Sequence, residues 1–316
     1  MPLVYFYPHT IQELIRGLAQ DQTPAVGSSI DFPSGILLAR YLMKKGFFEK
    51  KPIASFSGFE CFLSPRYLRN ERDFLALAAE VSGRARKIRE TISFTGGSSP
   101  STAVHIYTPH QELPRLLARL SDFFNDDWSE ISPIHAVAAV FYYSLSMHPF
   151  SDGNGRWARH LAIAAAHKVR DAWLSVTMLV FFAQHERHIV SMWKQAEISG
   201  LDRYMQECVL NHKKLSARIP QFSSHARATK VFEAILAQCE RRQAEKIFCS
   251  LAANGSLNAK NISTLLQCSQ KKSTGILAKL LEMDGYGHVE SGIEEFSFQS
   301  IVDDFNSDIE KNQFPD

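Results

Sequence analysis

No CxxC pair occurs in this sequence, and its five cysteines, Cys61, Cys208, Cys239, Cys249 and Cys268, are scattered and odd in number. That argues against a disulfide framework or a cysteine-built structural zinc site. It suits reduced, mostly core thiols in a cytoplasmic protein. A net charge of +2 leaves no global attraction for nucleic acid or membrane, so any such surface has to be local. The longest largely apolar run, Leu174–Phe182, is far too short to span a bilayer. The opening residues, MPLVYFYPHTIQEL, lack the basic start and long apolar run of a secretory signal. Internal repeats and low-complexity tracts are absent too. The reading is of a cytoplasmic, soluble chain with no membrane partner.

What is present is an ordinary globular composition, 45% apolar and 22% charged, in 316 residues, enough for two cores. The pattern is mainly α-helical. Residues 1–90 read as an N-terminal helical region with helices at Thr10–Leu18, Ser34–Lys45 and Glu71–Arg89, separated by Pro- and Gly-marked breaks. Two β-favouring runs, ISF and AVHIY, flank GGSSPS and predict a hairpin over Ile92–Tyr107. Helical spacing then returns at Leu113–Phe124, Pro133–Met147, Arg156–Val169, Gln184–Ser199 and Leu201–Ala217. Pro133–Met147 is apolar nearly all round and belongs at the centre of a core. These elements make residues 91–217 one domain, with residues 218–240 as linker and connecting helix. In residues 241–316, helices at Gln243–Ala253, Asn258–Leu266 and Ser269–Met283 precede a hairpin at Tyr286–Phe298. That is the order of a winged helix-turn-helix.

The chemistry concentrates in His148-Pro-Phe-Ser-Asp-Gly-Asn-Gly-Arg-Trp-Ala-Arg159. Pro149 discourages continuation of the preceding helix. Gly153 and Gly155 around Asn154 let the backbone take positive φ and turn N–H groups inward. A helix beginning near Arg156 points its first amides at the same place, which makes the junction an anion site. Arg156 and Arg159, three apart, can project to one side as forks for phosphate oxygens. Asp152 is a hard oxygen ligand for Mg²⁺, and His148 at the rim can take a proton from a hydroxyl. An alternative set, His148, Asp152, His160 and His167 as metallohydrolase ligands, has discordant helical phases and leaves Asn154 idle.

This string resembles the signature of the Fic family, H-x-F-x-D/E-G-N-G-R-x-x-R, at every fixed position, and the resemblance extends over roughly residues 90–215. It implies a Fic helical fold with a β-hairpin flap, followed here by the small winged-helix domain. It implies a protein adenylyltransferase that moves AMP from ATP to a Ser, Thr or Tyr hydroxyl, with Mg²⁺. His148 would be the general base and Phe150 the anchor of the loop. Asp152 would hold Mg²⁺ between the α- and β-phosphates. Gly153, Asn154 and Gly155 would form the anion cradle, with the Asn154 side chain on the α-phosphate. Arg156 would meet the β-phosphate, and Arg159 the γ-phosphate or its competitor. A target protein would dock on the flap Ile92–Tyr107 as an added strand.

The chain departs from the family in two places. No Glu is followed by Gly or Asn, so the Ser/Thr-x-x-x-Glu-Gly/Asn inhibitory motif is missing, and a separate inhibitory partner is one way to replace it. His188-Ile-Val stands where the family often has a tyrosine pair for the nucleotide. The second glycine of the loop favours AMP transfer over the Doc-like phosphotransfer variant. The winged helix leaves two partners open, DNA through Ser269–Ser273 and a second copy of the chain, although Glu290, Glu294 and Glu295 load its wing with negative charge. The alternative function is a nucleotide-sensing transcription regulator acting through that winged helix.

Overall fold

The computed structural model describes residues 31–45, 68–82, 84–103, 105–126, 128, 131–168, 174–178, 180, 210, 213, 225–283, 287–290 and 293–311. The helices expected at Thr10–Leu18, Gln184–Ser199 and Leu201–Ala217 lie outside these residues, save for Leu210 and Lys213, as does the His188 stretch. The described helices are α1 (Phe32–Lys45), α2 (Glu71–Ser82), α3 (Leu113–Asn125), α4 (Pro133–Met147), α5 (Asn154–Lys168), α6 (Ala226–Leu236), α7 (Arg241–Asn254), α8 (Ala259–Leu266), α9 (Gln270–Leu281) and α10 (Gln299–Lys311). The described strands are β1 (Phe94–Thr95), β2 (His105–Ile106), β3 (Ser256–Asn258), β4 (Gly287–Glu290) and β5 (Ile293–Ser297). The fold is mainly α. Among the described residues no helix is long and apolar enough to cross a membrane. The chain divides into two compact units, Met1–Val26 with Pro65–Lys213, and Gly27–Ser64 with Lys214–Asp316.

In the first unit α4 and α5 pack side by side. Helix α4 buries residues all round, Ala136, Val140, Phe141 and Tyr143 among them. Helix α5 meets it with small residues, Ala158, Ala162, Ala165 and Ala166, all fully buried, so the two backbones can approach closely. Helix α2 starts at Asn70, whose side chain accepts the Asp73 N–H while Asp73 accepts the Arg69 N–H. It ends at Ser82, seven residues before the expected Arg89. The sequence reads Ser-Gly there, a stop signal. The Arg84 N–H donates to the Ala79 carbonyl, the closure typical of a helix end. The run Arg84–Glu90 is therefore free of regular helix and lies along the α4–α5 junction. Trp157 sits beneath that junction, 1% exposed, edge-on to Phe150 at 5.2 Å and to Phe74 of α2 at 6.4 Å. Its Nε1–H donates to the Phe74 carbonyl.

The second unit holds α1 together with α6–α10. The sequence reading placed Ser34–Lys45 within the region 1–90, whereas α1 packs on α6, α7 and α10. Phe32 lies 5.2 Å from Phe232 and 6.2 Å from Phe248, and Phe248 lies 5.3 Å from Phe298. Thr229 donates to Asp31, which also caps α1 at the Ser34 N–H. An amphipathic pattern says that a face is buried but not against which partner. Strand order is β3-β5-β4, antiparallel throughout, with Leu257 opposite Phe296 and His288 opposite Glu295. Asn258 and Asn261 cap α8 reciprocally, and Ser269 caps α9. Helix α10, which the sequence reading did not assign, buries Ile301, Val302, Phe305 and Ile309.

Replacing Trp157 by Ala removes the ring that joins α5, the loop and α2. We predict a loss of roughly 3–5 kcal/mol from the first unit, read as a lowered urea midpoint. A midpoint unchanged from wild type would contradict this packing.

Candidate functional site

Helix α4 ends at His148, which takes the left-handed conformation (φ 48°, ψ 58°) while its N–H still bonds the Ser144 carbonyl. Six residues later α5 begins at Asn154, two residues before the expected start near Arg156. Asn154 explains the early start. It is 2% exposed, its Oδ1 accepts the Phe150 N–H at 2.9 Å and its Nδ2 donates to the Phe150 carbonyl at 2.7 Å. The carboxamide thus closes the loop on itself. Of the two loop glycines, Gly153 alone has positive φ (84°). Gly155 is the second residue of α5, and the space where its Cβ would stand is open. The inner side of the loop is packed through Phe150, while Ser151 and Asp152 on the outer side are exposed.

His148 is held from two sides. Its ring stacks on Tyr107 with centroids 3.8 Å apart and planes 15° from parallel. Arg89, 6% exposed, donates from Nε to the His148 carbonyl at 2.7 Å and from Nη2 to the Met147 carbonyl at 3.5 Å. The same guanidinium donates to the carbonyls of Thr91 (2.7 Å) and Thr108, one at each root of the hairpin. Its backbone N–H bonds the Pro149 carbonyl. A cation buried at the C-terminal end of α4 is matched by carbonyls that the helix leaves without partners. The hairpin itself is short: Phe94 pairs with Ile106 and Thr95 with His105, and the Tyr107 N–H closes on the Ser93 carbonyl. Burial pushes the Tyr107 phenol above its ordinary range, so the ring beside His148 is neutral.

Asp152 gathers three guanidinium groups on its Oδ2: Arg84 and Arg86 at 3.4 Å and Arg156 at 3.9 Å. The Gly153 N–H, and beyond it Arg86 and Arg156, hold the Asp152 carboxyl below its ordinary range. Arg84 and Arg86 are the residues that the sequence reading missed, because it ran them into a helix. The Ser82-Gly83 stop was the available signal. Arg156 and Arg159 lie on the first turns of α5, and both charges reach His160 behind them. A single exposed carboxylate beside an anion cradle is a donor set that Mg²⁺ takes together with substrate phosphates. Among the described residues no group of three or more His, Cys, Asp or Glu is placed to hold a metal ion, and the side chain of His167 lies outside them. The alternative zinc set therefore finds no support.

Residues 63–166 match the family model of the Fic/DOC family, a stretch of about a third of the chain that contains the hairpin, α4, the loop and nearly all of α5. A comparison with curated proteins finds no match.

Burial, then the charges of Arg159 and Arg156, push the His160 imidazole down to about 3. The folded chain keeps His160 neutral, while the unfolded chain protonates it below about 6.5. Its contribution is constant above that value and falls as pH drops from about 6.5 toward about 3. We predict that thermal stability falls from pH 7.5 to pH 5 and that His160→Gln falls less. An equal fall in both would refute a buried neutral imidazole.

Proposed function

We propose that the α4–loop–α5 junction is the active site of a protein adenylyltransferase, which transfers AMP from ATP to a hydroxyl of a target protein. The observation that carries this reading is the junction itself. An imidazole on the last turn of one buried helix and an exposed, arginine-rich helix start on the next are joined by a loop that one carboxamide holds shut. The match to the Fic/DOC family covers the same residues, and domains of that family transfer phosphate-containing groups onto proteins.

His148 takes the proton of the target hydroxyl. The oxygen attacks the α-phosphorus, the bond between the α- and β-phosphates breaks, and pyrophosphate leaves. The Gly153–Gly155 amides and Arg156 hold the phosphates in line and offset the charge that gathers on the leaving group, with Arg159 at its far end. Asp152 would hold Mg²⁺, whose charge would add to that neutralisation. Tyr107 and Arg89 hold the base from the flap side, so a target strand added to the hairpin at Ile92–Tyr107 arrives beside His148.

For the second unit the element order and the β3-β5-β4 register support the winged helix-turn-helix reading. Lys271 and Lys272 at the start of α9 are both exposed, and Lys272 reaches Oε1 of Gln243 at 3.2 Å. Strand β5 adds Glu295, bonded to Ser256. These charges favour a protein contact over DNA, with a second copy of the chain as one such contact. The regulator alternative requires salt-sensitive DNA binding that Lys271→Ala weakens, with no covalent transfer.

The test of the main reading is incubation with α-labelled ATP, Mg²⁺ and cell extract. Label should appear on protein and fall about 10²–10⁴-fold with His148→Ala. Equal labelling by that variant would remove His148 from the role of base.

A further inference from the structure

We propose that Arg86 is a further phosphate-binding residue of this site, contributed from outside the loop and its helix. Three observations lead to it. The first is the surplus of charge. Arg84, Arg86 and Arg156 converge on one oxygen of Asp152, at the N-terminus of α5 where the helix dipole is already positive. One carboxylate cannot balance three guanidinium groups, and the cluster is complete when an anion joins it.

The second is burial. The Arg86 side chain is 7% exposed, against 66% for Arg84 and 48% for Arg156. Arg84 can satisfy its charge in water, but Arg86 is held in place before any ligand arrives. Among the described residues its hydrogen bond is to Asp152, at 3.4 Å, the long end of the range. A fork of five donors keeps most of its capacity beyond that one long bond. The third is the backbone beneath it. A Cβ on Gly153 would stand 3.2 Å from Nη2 of Arg86. The glycine that makes the turn also makes room for the guanidinium, so Arg86 lies directly over the loop whose amides face the ligand.

The ligand group is a phosphate of the nucleotide. When nucleotide binds, Arg86 exchanges its long contact with Asp152 for a phosphate oxygen, a charge-assisted pair suited to guanidinium geometry, and Asp152 would be left free to hold Mg²⁺. The inference rests on the adenylyltransferase reading for its choice of ATP as probe.

The experiment is calorimetric titration of the full chain with ATP and Mg²⁺, with near-ultraviolet circular dichroism of each variant beside it. We expect Arg86→Gln to weaken ATP binding about ten- to a hundredfold, and Arg86→Lys several-fold because an ammonium lacks the fork. Arg84→Gln, which removes a solvent-exposed member of the cluster, should cost less than Arg86→Gln, and all three spectra should match wild type. ATP affinity of Arg86→Gln and Arg86→Lys within twofold of wild type would overturn the proposal. So would an affinity loss accompanied by an altered spectrum in both Arg86 variants, which marks a structural role. Wild-type ATP binding without transfer of label would sink the transferase reading and leave the assignment of Arg86 standing, whereas a wild-type chain that binds no ATP overturns both.

Discussion

The double hydrogen bond between the Asn154 side chain and the Phe150 backbone is the constraint on which the rest of the site depends. With the Phe150 N–H and carbonyl both bound to one carboxamide, the intervening residues have a fixed span to cross, and Gly153 crosses it at positive φ. Helix α5 must then begin at Asn154, and its first free amides face outward. The same closure drives the Phe150 ring onto Trp157, so the loop is bonded by a polar clamp on one side and packed by aromatic rings on the other. A buried amide left without these two partners would cost roughly 1–3 kcal/mol. The loop therefore has one stable geometry, and the site is built before any ligand binds.

Arg89 performs the matching task on the other helix. Burying a cation is costly unless its donors are met, and here they meet carbonyls at the end of α4 and at both roots of the hairpin. Those carbonyls in turn gain a donor they could not find inside the helix. The consequence is mechanical coupling. The position of His148, the stack on Tyr107 and the splay of the hairpin are set by one guanidinium, so a displacement of the hairpin reaches His148 through bonded atoms.

Much of this was legible in the sequence, and the reasons are particular. Helix α4 was readable because Pro133 starts it, His148-Pro149 stops it and its apolar residues leave no polar face. The loop string was readable because each residue type in it has a separate chemical reason to be there. Arg84, Arg86 and Arg89 were hidden because a run of arginine and alanine after an amphipathic stretch has high helix propensity. Tertiary bonds to Pro149, His148 and Thr108 outweigh that preference. The part Asn154 plays in closing the loop was hidden for another reason, since a side-chain amide serves a phosphate and a backbone equally well and composition alone does not choose. The place of α1 was hidden because its partners, Phe232 and Phe248, are remote in the chain and the periodicity of a helix carries no address.

The arrangement of charge also has an internal logic. A site for a polyphosphate has to be positive, yet a folded chain has to hold its cations apart or pair them. Besides Arg159, four arginines stand near the loop: Arg89 is matched by carbonyl dipoles, Arg84 by Asp152 and water, and Arg86 and Arg156 by Asp152. Asp152 is thus useful twice. Without ligand it restrains the guanidinium groups that would otherwise repel one another beside a positive helix end. In the proposed transferase reading, its carboxylate would be left to hold the metal while Arg86 and Arg156 met phosphate. Since the exchange trades one set of charge pairs for another, binding need not first break a stable bond without replacement. On that reading a ligand bearing both cation and polyphosphate would be favoured, because either partner alone would leave part of the cluster unbalanced.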